Sequence, residues 1–415
     1  MEQIAEQEET IINGIYGLDN LGNTCYLNSI IQTLANIDLF RNFLLNKDFV
    51  NFLMHKIQLN PDPNIKTKLS IIYDSPLYQF FRVIQTIWSG TIDSESLKPT
   101  TLRKKLGMVN SMFKNLQQQD AQEAFTIIIE IMHMEIAQDL KINLDIQTLN
   151  PIQNACMNFW TKEYSPLYEI FHGMYLTTRT CNECNYITEE YYPNLFFSLD
   201  IPKLGTKSLI HQEESSKIPF NITNYIDIRS KIPSVIINQE TKDAMCSKLD
   251  EQIVNYIKEK HEIIVNYNAK YDIYDCINDF SSEKIIEDYK CPGCKKTCSC
   301  SGKTQIVISP KVLCIQIKRF GNNLNKRDNH ITFPLNIDIN SIIPSNLIAS
   351  TKTKYKLKSV INHLGSNLNS GHYYTFAYSS IHEKWYNFND ENVNEITESE
   401  ISTSNAYLLF YELIN

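Results

Sequence analysis

Two cysteine pairs, Cys181-x-x-Cys184 and Cys291-Pro-Gly-Cys294, constrain the fold of this chain more than any other feature. Each pair has the spacing at which a tight knuckle offers two thiolates to one tetrahedral Zn²⁺, and each lies at the end of a strand-like segment. A shared site requires a ribbon that folds back on itself, with the intervening sequence looped out. Four thiolates close the coordination sphere, so such a zinc holds structure and does no chemistry. Chance pairing and a redox dithiol are the other readings of these pairs. Cys298 and Cys300 follow closely enough to compete as ligands, or else they are spare loop thiols. The first residues, Met1 to Thr10, are acidic and polar and do not resemble a signal peptide. The eleven cysteines are therefore expected in a reducing compartment, cytoplasmic or nuclear, where thiol chemistry or metal rather than disulfides accounts for them.

A different setting surrounds Cys25. It follows the Gly- and Asn-rich run from Gly17 to Thr24 and precedes Leu27, Ile30, Ile31 and Leu34, which fall at helical spacing. A helix beginning near Cys25 places the thiol at the positive end of the macrodipole. Such a position moves a cysteine pKa from about 8.5 toward roughly 3.5 to 7.5. An inert core cysteine is the plain alternative. The balance shifts far downstream, where Gly371-His372-Tyr373-Tyr374 opens one strand and Lys384-Trp385-Tyr386-Asn387-Phe388-Asn389-Asp390 closes the next. In an antiparallel hairpin this sets a histidine beside an amide and a carboxylate. His372 can then accept the Cys25 proton, while Asn389 or Asp390 holds the imidazole tautomer.

A net charge of -8 argues against nucleic acid or an anionic membrane as partner, and no apolar run approaches a membrane span. Residues 1–12 read as a disordered acidic tail, and 13–165 as mainly helical, with the clearest helix from Gln119 to about Leu140. At its start Asp120 is either an N-cap or a binding residue, and Glu123 lies one turn in. Strand periodicity follows: Gly173 to Arg179, Tyr186 to Asp200, then Ile306 to Ile308, Val312 to Arg319, Ile331 to Ile339, Tyr355 to His363, His372 to Tyr378, Lys384 to Phe388 and Tyr407 to Glu412. Residues 203–270 interrupt them as an insertion, part loop and part helix, with Met245, Leu249, Ile253 and Ile257 on one face. A helical first third and a β-rich remainder make the fold class α+β.

The Asn20 to Ser29 block, the Gln-Gln-Asp-Ala-Gln-Glu-Ala-Phe block from Gln118, the two knuckles, Leu313 to Phe320, Gly371-His372-Tyr373, Trp385 to Asp390 and Tyr407 to Tyr411 occur in the order found in the ubiquitin-specific proteases. The resemblance to these papain-like cysteine deubiquitinases covers residues 14–415 apart from the insertion. It implies a helical thumb (13–165) carrying Cys25 and an antiparallel β palm (306–415) carrying His372 and Asn389. Zinc-tipped β fingers, with adjoining palm, take 166–202 and 271–320. By the same resemblance Asn20 and the Cys25 N–H form an oxyanion hole, Asp120, Glu123, Gly371 and Tyr373 contact the ubiquitin tail, and Cys181, Cys184, Cys291 and Cys294 hold one structural Zn²⁺. The loops Gly321 to Asn329 and Gly365 to Ser370 resemble those that cover the tail. Asn389 is expected as orienter of His372, where many relatives have Asp, with Asp390 in support. The implied reaction is hydrolysis of isopeptide, peptide or ester bonds at the C-terminal glycine of ubiquitin, with ubiquitinated proteins as substrates. The competing expectation is a weakly active or inactive ubiquitin-binding scaffold that needs a protein partner.

Overall fold

The computed structural model describes residues 14–47, 49, 51–52, 72–89, 96–137, 149–160, 164–202, 271–321, 326–368 and 370–414. The chain divides into two compact units, 1–201 with 272–415, and 202–271. Nearly all of the second unit lies outside the described residues, as do the expected insertion, its helical face and the expected acidic tail. No helix among the described residues is long and apolar enough to cross a membrane.

Among the described residues seven helices come first: α1 (Cys25–Asn36), α2 (Asp38–Leu45), α3 (Pro76–Ser89), α4 (Thr100–Val109), α5 (Ala121–Ile136), α6 (Pro151–Trp160) and α7 (Pro166–Phe171). The strands follow as β1 (Gly173–Cys181), β2 (Ile187–Asn194), β3 (Phe196–Asp200), then helix α8 (Ile273–Ser281) and β4 (Lys284–Lys290), β5 (Thr297–Ile308), β6 (Val312–Lys318), β7 (Asn336–Asp338), β8 (Lys354–Asn367), β9 (Ser370–Ser379), β10 (Lys384–Asn389), β11 (Asn392–Ile396) and β12 (Ala406–Leu413).

Every residue of α1 is buried, the polar ones included. Leu27, Ile30, Ile31 and Leu34 enter the core, while the opposite side meets the sheet through hydrogen bonds rather than water. Thr33 and Ser359 share one at 2.9 Å, and Thr375 Oγ1 donates to the Ser29 carbonyl at 3.1 Å. A buried polar group is tolerated only when paired in this way. The same core continues through Phe125 of α5 to Phe410 of β12, Phe196 of β3 and Phe171 of α7, at ring-centroid distances of 5.1, 5.5 and 5.7 Å. Removing a buried phenylalanine costs about 3–5 kcal/mol, so one ring fastens helices to sheet.

An eight-stranded sheet runs in the order β11-β10-β9-β8-β12-β6-β3, with β7 paired to β8 off this path. Its neighbours are antiparallel except β3 and β6, which are parallel. A separate four-stranded antiparallel sheet, β2-β1-β5-β4, carries the cysteine knuckles at its end. Two expected strands are each broken. The run from Tyr186 to Asp200 splits at Leu195, where β2 leaves its pairing with β1 and β3 joins the large sheet. Ile331 to Ile339 survives only as Ile331–Thr332 and Asn336–Asp338, because Pro334 has no N–H to give a ladder. The helix at Gln119 starts later than expected, at Ala121, with Asp120 as its N-cap.

Candidate active site and metal centre

Cys25 is the first residue of α1, and its N-cap Thr24 makes no side-chain bond to the helix. The Thr24 hydroxyl instead accepts from Leu21 N at 2.8 Å, bracing the preceding loop. The first N–H groups of a helix have no intrahelical partner, so this end stays positive and open to an anion. The thiol is 3% exposed.

His372 lies near the start of β9 and reaches both ends of the pair. Its Nε2 is 2.6 Å from Asn389 Oδ1, at the end of β10. With Nε2–H donating there, Nδ1 is the nitrogen left for Cys25. A hydrogen bond with Cys25 pushes the imidazole up to about 9, against the effect of burial, and the Asn389 bond and the charges of Cys25 and Asp390 add to the rise. Gly371, immediately before, has φ +152, and a Cβ there would lie 2.4 Å from the Leu364 carbonyl oxygen. Only glycine fits that approach.

Asp390 is 3.9 Å from His372 Nε2, too far for a direct hydrogen bond. Its carboxylate accepts from Asn20 Nδ2 and Asn28 Nδ2, each at 2.8 Å, while its carbonyl accepts from Leu18 N at 2.8 Å. The residue has φ +49, in the left-handed region that Asp and Asn tolerate best among residues with a side chain. Asn20 is held on its other side too, its Oδ1 accepting from Gly22 N at 3.0 Å and Thr24 N at 3.1 Å. The Asn20 amide is therefore fixed beside the start of α1.

Asp120 Oδ1 accepts from Gln122 N and Glu123 N at 2.6 and 3.2 Å, and Oδ2 accepts the Tyr407 hydroxyl at 2.8 Å. Burial raises its carboxyl above the usual range, partly offset by the Tyr407 bond. The N-cap accounts for Oδ1 and the Tyr407 hydroxyl for Oδ2. Glu123 is exposed. Tyr373 corrects an expectation: it is 0% exposed, 4.7 Å from the His363 ring, so its side chain belongs to the core and offers no surface to a substrate. Sequence reasoning missed Arg319, wholly buried, whose Nε donates to the Ala406 carbonyl at 2.5 Å and whose Nη1 donates to the Arg327 and Asn329 carbonyls at 2.9 and 2.8 Å. It pins one end of the expected covering loop, and the only sequence signal was a charge closing an apolar strand. Residues 322–325 of that loop lie outside the described residues.

The two knuckles have the same backbone form. Asn185 N donates to the Cys181 carbonyl at 3.0 Å and Lys295 N to the Cys291 carbonyl at 2.9 Å, with φ +57 at Asn185 and +60 at Lys295. The sulfurs of Cys181, Cys184, Cys291 and Cys294 all lie within 4.8 Å of one another. Four thiols converging from two matched turns fit a tetrahedral metal ion.

The family model of ubiquitin carboxyl-terminal hydrolases matches residues 16–411. The chain belongs to that family. It is similar to a probable ubiquitin carboxyl-terminal hydrolase of Acanthamoeba polyphaga mimivirus, 26% identical over 96% of this chain and 90% of the viral protein. Ubiquitin carboxyl-terminal hydrolase 2 of Bos taurus is also 26% identical, over 96% of this chain and 55% of its own length. Among solved structures, the fold matches a SAGA DUB module of Ubp8, Sgf11, Sus1 and Sgf73 bound to monoubiquitin, with a TM-score of 0.61, 20% identity, and coverage of 98% of this chain and 70% of that one. As a ubiquitin carboxyl-terminal hydrolase of mixed helix and sheet with a four-cysteine tip, this protein is a cysteine-type deubiquitinase.

Proposed function

We propose that the hydrolase uses Cys25 as nucleophile on the carbonyl of the C-terminal glycine of ubiquitin. The observation that carries this reading is the hydrogen-bonded Cys25 and His372 pair at the bare start of α1. The Cys25 thiolate adds to the carbonyl carbon, and the resulting oxyanion lies where Asn20 Nδ2 and the Cys25 N–H can donate. The imidazolium of His372 protonates the leaving lysine amine as the C–N bond breaks, leaving a thioester. His372 then takes a proton from water, whose oxygen attacks the thioester carbon, and the thiolate departs. Asn389 acts as orienter of His372. Exposed Glu123 suits a cationic side chain of the ubiquitin tail, with the carboxylate of Asp120 at the start of the same helix. Gly371 brings its backbone against the Leu364 carbonyl and so sets the approach of His372, and by the same reading its backbone borders the glycine tail.

The metal of the four-thiolate tip is proposed to be zinc, with a structural task alone. Chelation is expected to release about one equivalent per chain and to strip amide protection from β1, β2, β4 and β5, while β8, β9 and β12 keep theirs in hydrogen exchange. Loss of protection throughout the large sheet, or no release, would contradict this assignment. A protein partner that orders the covering loops, and a cytoplasmic or nuclear setting, are part of the same reading.

Ubiquitin carrying an electrophile at its C-terminus tests the function. Wild type is expected to form one covalent adduct per chain, and Cys25→Ser none. Tight binding of ubiquitin by wild type without adduct formation would mark a scaffold instead.

A further inference from the structure

Beside the four sulfurs that lie within 4.8 Å of one another stands a fifth thiol, Cys298. Cys298 Sγ is 3.4 Å from Cys181 Sγ, closer than the 3.6 Å between Cys184 and Cys291. Thiolates about 2.3 Å from a shared ion, at tetrahedral corners, stand about 3.8 Å from one another. Cys298 is thus as near to Cys181 as one ligand is to the next. It is buried together with Cys181 and Cys291, with Tyr289 and Cys294 packed against them. Cys184, by contrast, is the exposed member of the cluster.

The backbone explains how a strand residue comes to face the knuckles. Cys298 sits at the start of β5 opposite Tyr289, just past a register shift in β4 where Asp288 has φ +57. Irregularities of this kind re-aim the neighbouring side chain. The other contacts of the thiol are weak ones, to the Tyr289 and Lys296 carbonyls at 3.7 and 3.9 Å, which it gives up at little cost.

We propose that Cys298 is a fifth ligand of this metal centre, taking the place of Cys184 when that exposed thiolate is lost. The ion then exchanges one Cys184 bond for one Cys298 bond. The Cys298 proton goes to solvent, and Cys181, Cys291 and Cys294 stay bound. The set of donors remains four thiolates, so the tip keeps its metal while its outermost thiol reacts. This inference rests on the metal reading above.

Cobalt(II) titration of the full chain under reducing conditions tests it, because each bound thiolate adds its own charge-transfer absorption. Cys298→Ser is expected to match wild type. Cys184→Ser is expected to keep the full four-thiolate absorption, with affinity within about tenfold of wild type. The double variant should lose about a quarter of the absorption and more than about 100-fold in affinity, beyond what loss of an outer-shell partner produces. A Cys184→Ser spectrum equal to that of the double variant would overturn the exchange alone. A wild type that takes up no cobalt would overturn the centre itself and the exchange with it. The wild-type zinc protein gives a second reading that needs no variant: after one alkylation at Cys184, zinc is expected to stay bound, and stoichiometric release to a chromophoric chelator would refute the proposal.

Discussion

Replacing His372 with alanine is expected to lower kcat on a ubiquitin C-terminal amide by on the order of 10⁴-fold or more, with ubiquitin binding retained. The imidazole is the group in hydrogen-bond contact with the buried Cys25 thiol, and its removal deprives the thiol of its base and the leaving amine of its acid. The pH profile separates this from a general disturbance. The hydrogen bond with Cys25 holds the imidazole up to about 9, above its ordinary 6.5. The stabilisation that comes with that rise is complete below about 6.5 and is lost as pH climbs through about 9. Wild-type kcat, which needs the imidazolium, should therefore hold through neutral pH and fall above about 9. The alanine variant lacks that alkaline limb, and its residual rate should climb with pH as hydroxide deprotonates the thiol. Stopped-flow or fluorogenic turnover across that range checks both. Residual activity above a tenth of wild type would remove His372 from the chemistry.

Asp390→Asn is expected to cost about 10²–10³ in kcat with KM little changed. Asparagine tolerates the left-handed φ of +49, so the turn survives the substitution. What fails is the count of acceptors. Asn20 and Asn28 each donate an amide N–H to one carboxylate oxygen, and an amide offers one oxygen and a second set of donors. Asn28 retains bonds to the Leu18 and Asp19 carbonyls at 3.2 Å, whereas Asn20 Nδ2 has none but Asp390 among its described bonds. The loosened group is thus the proposed oxyanion donor. Asn389→Ala supplies the contrast: its bond raises the His372 pKa, so its loss should move the alkaline limb downward, which Asp390→Asn does less directly. Should Asp390→Asn retain full turnover, the Asn20 clamp has no catalytic consequence.

Local chemistry made much of this legible. The Gly- and Asn-rich run ahead of an apolar helix marked Cys25, and strand periodicity marked β6, β9, β10 and β12 close to their ends but stopped β8 at His363, short of Asn367. The four knuckle cysteines were readable because spacing alone nearly determines their geometry. What stayed hidden depended on pairing between remote strands. Strand-type residues run on through Leu195 with Pro193-Asn194 as the one local break, and that break does not say that β2 and β3 belong to different sheets. The strand Lys284–Lys290 carries charge at alternate and adjacent positions because both its faces are largely exposed. At the site, Asp390 sat beside Asn389 in the sequence and looked like a second partner for His372. That it turns to Asn20 and Asn28 follows from its positive φ, which redirects the side chain. Tyr373, next to His372, points the opposite way along an alternating strand, and therefore into the core.

The continuous core around Phe125 has a consequence for how the enzyme fails. Because α1 is enclosed by apolar and hydrogen-bonded neighbours from both the helices and the large sheet, the segment bearing the sulfur has no stable existence without the segment bearing the imidazole. Heating should erase the two halves of the reaction centre in a single cooperative melt, and fragments divided between them should be inert until recombined.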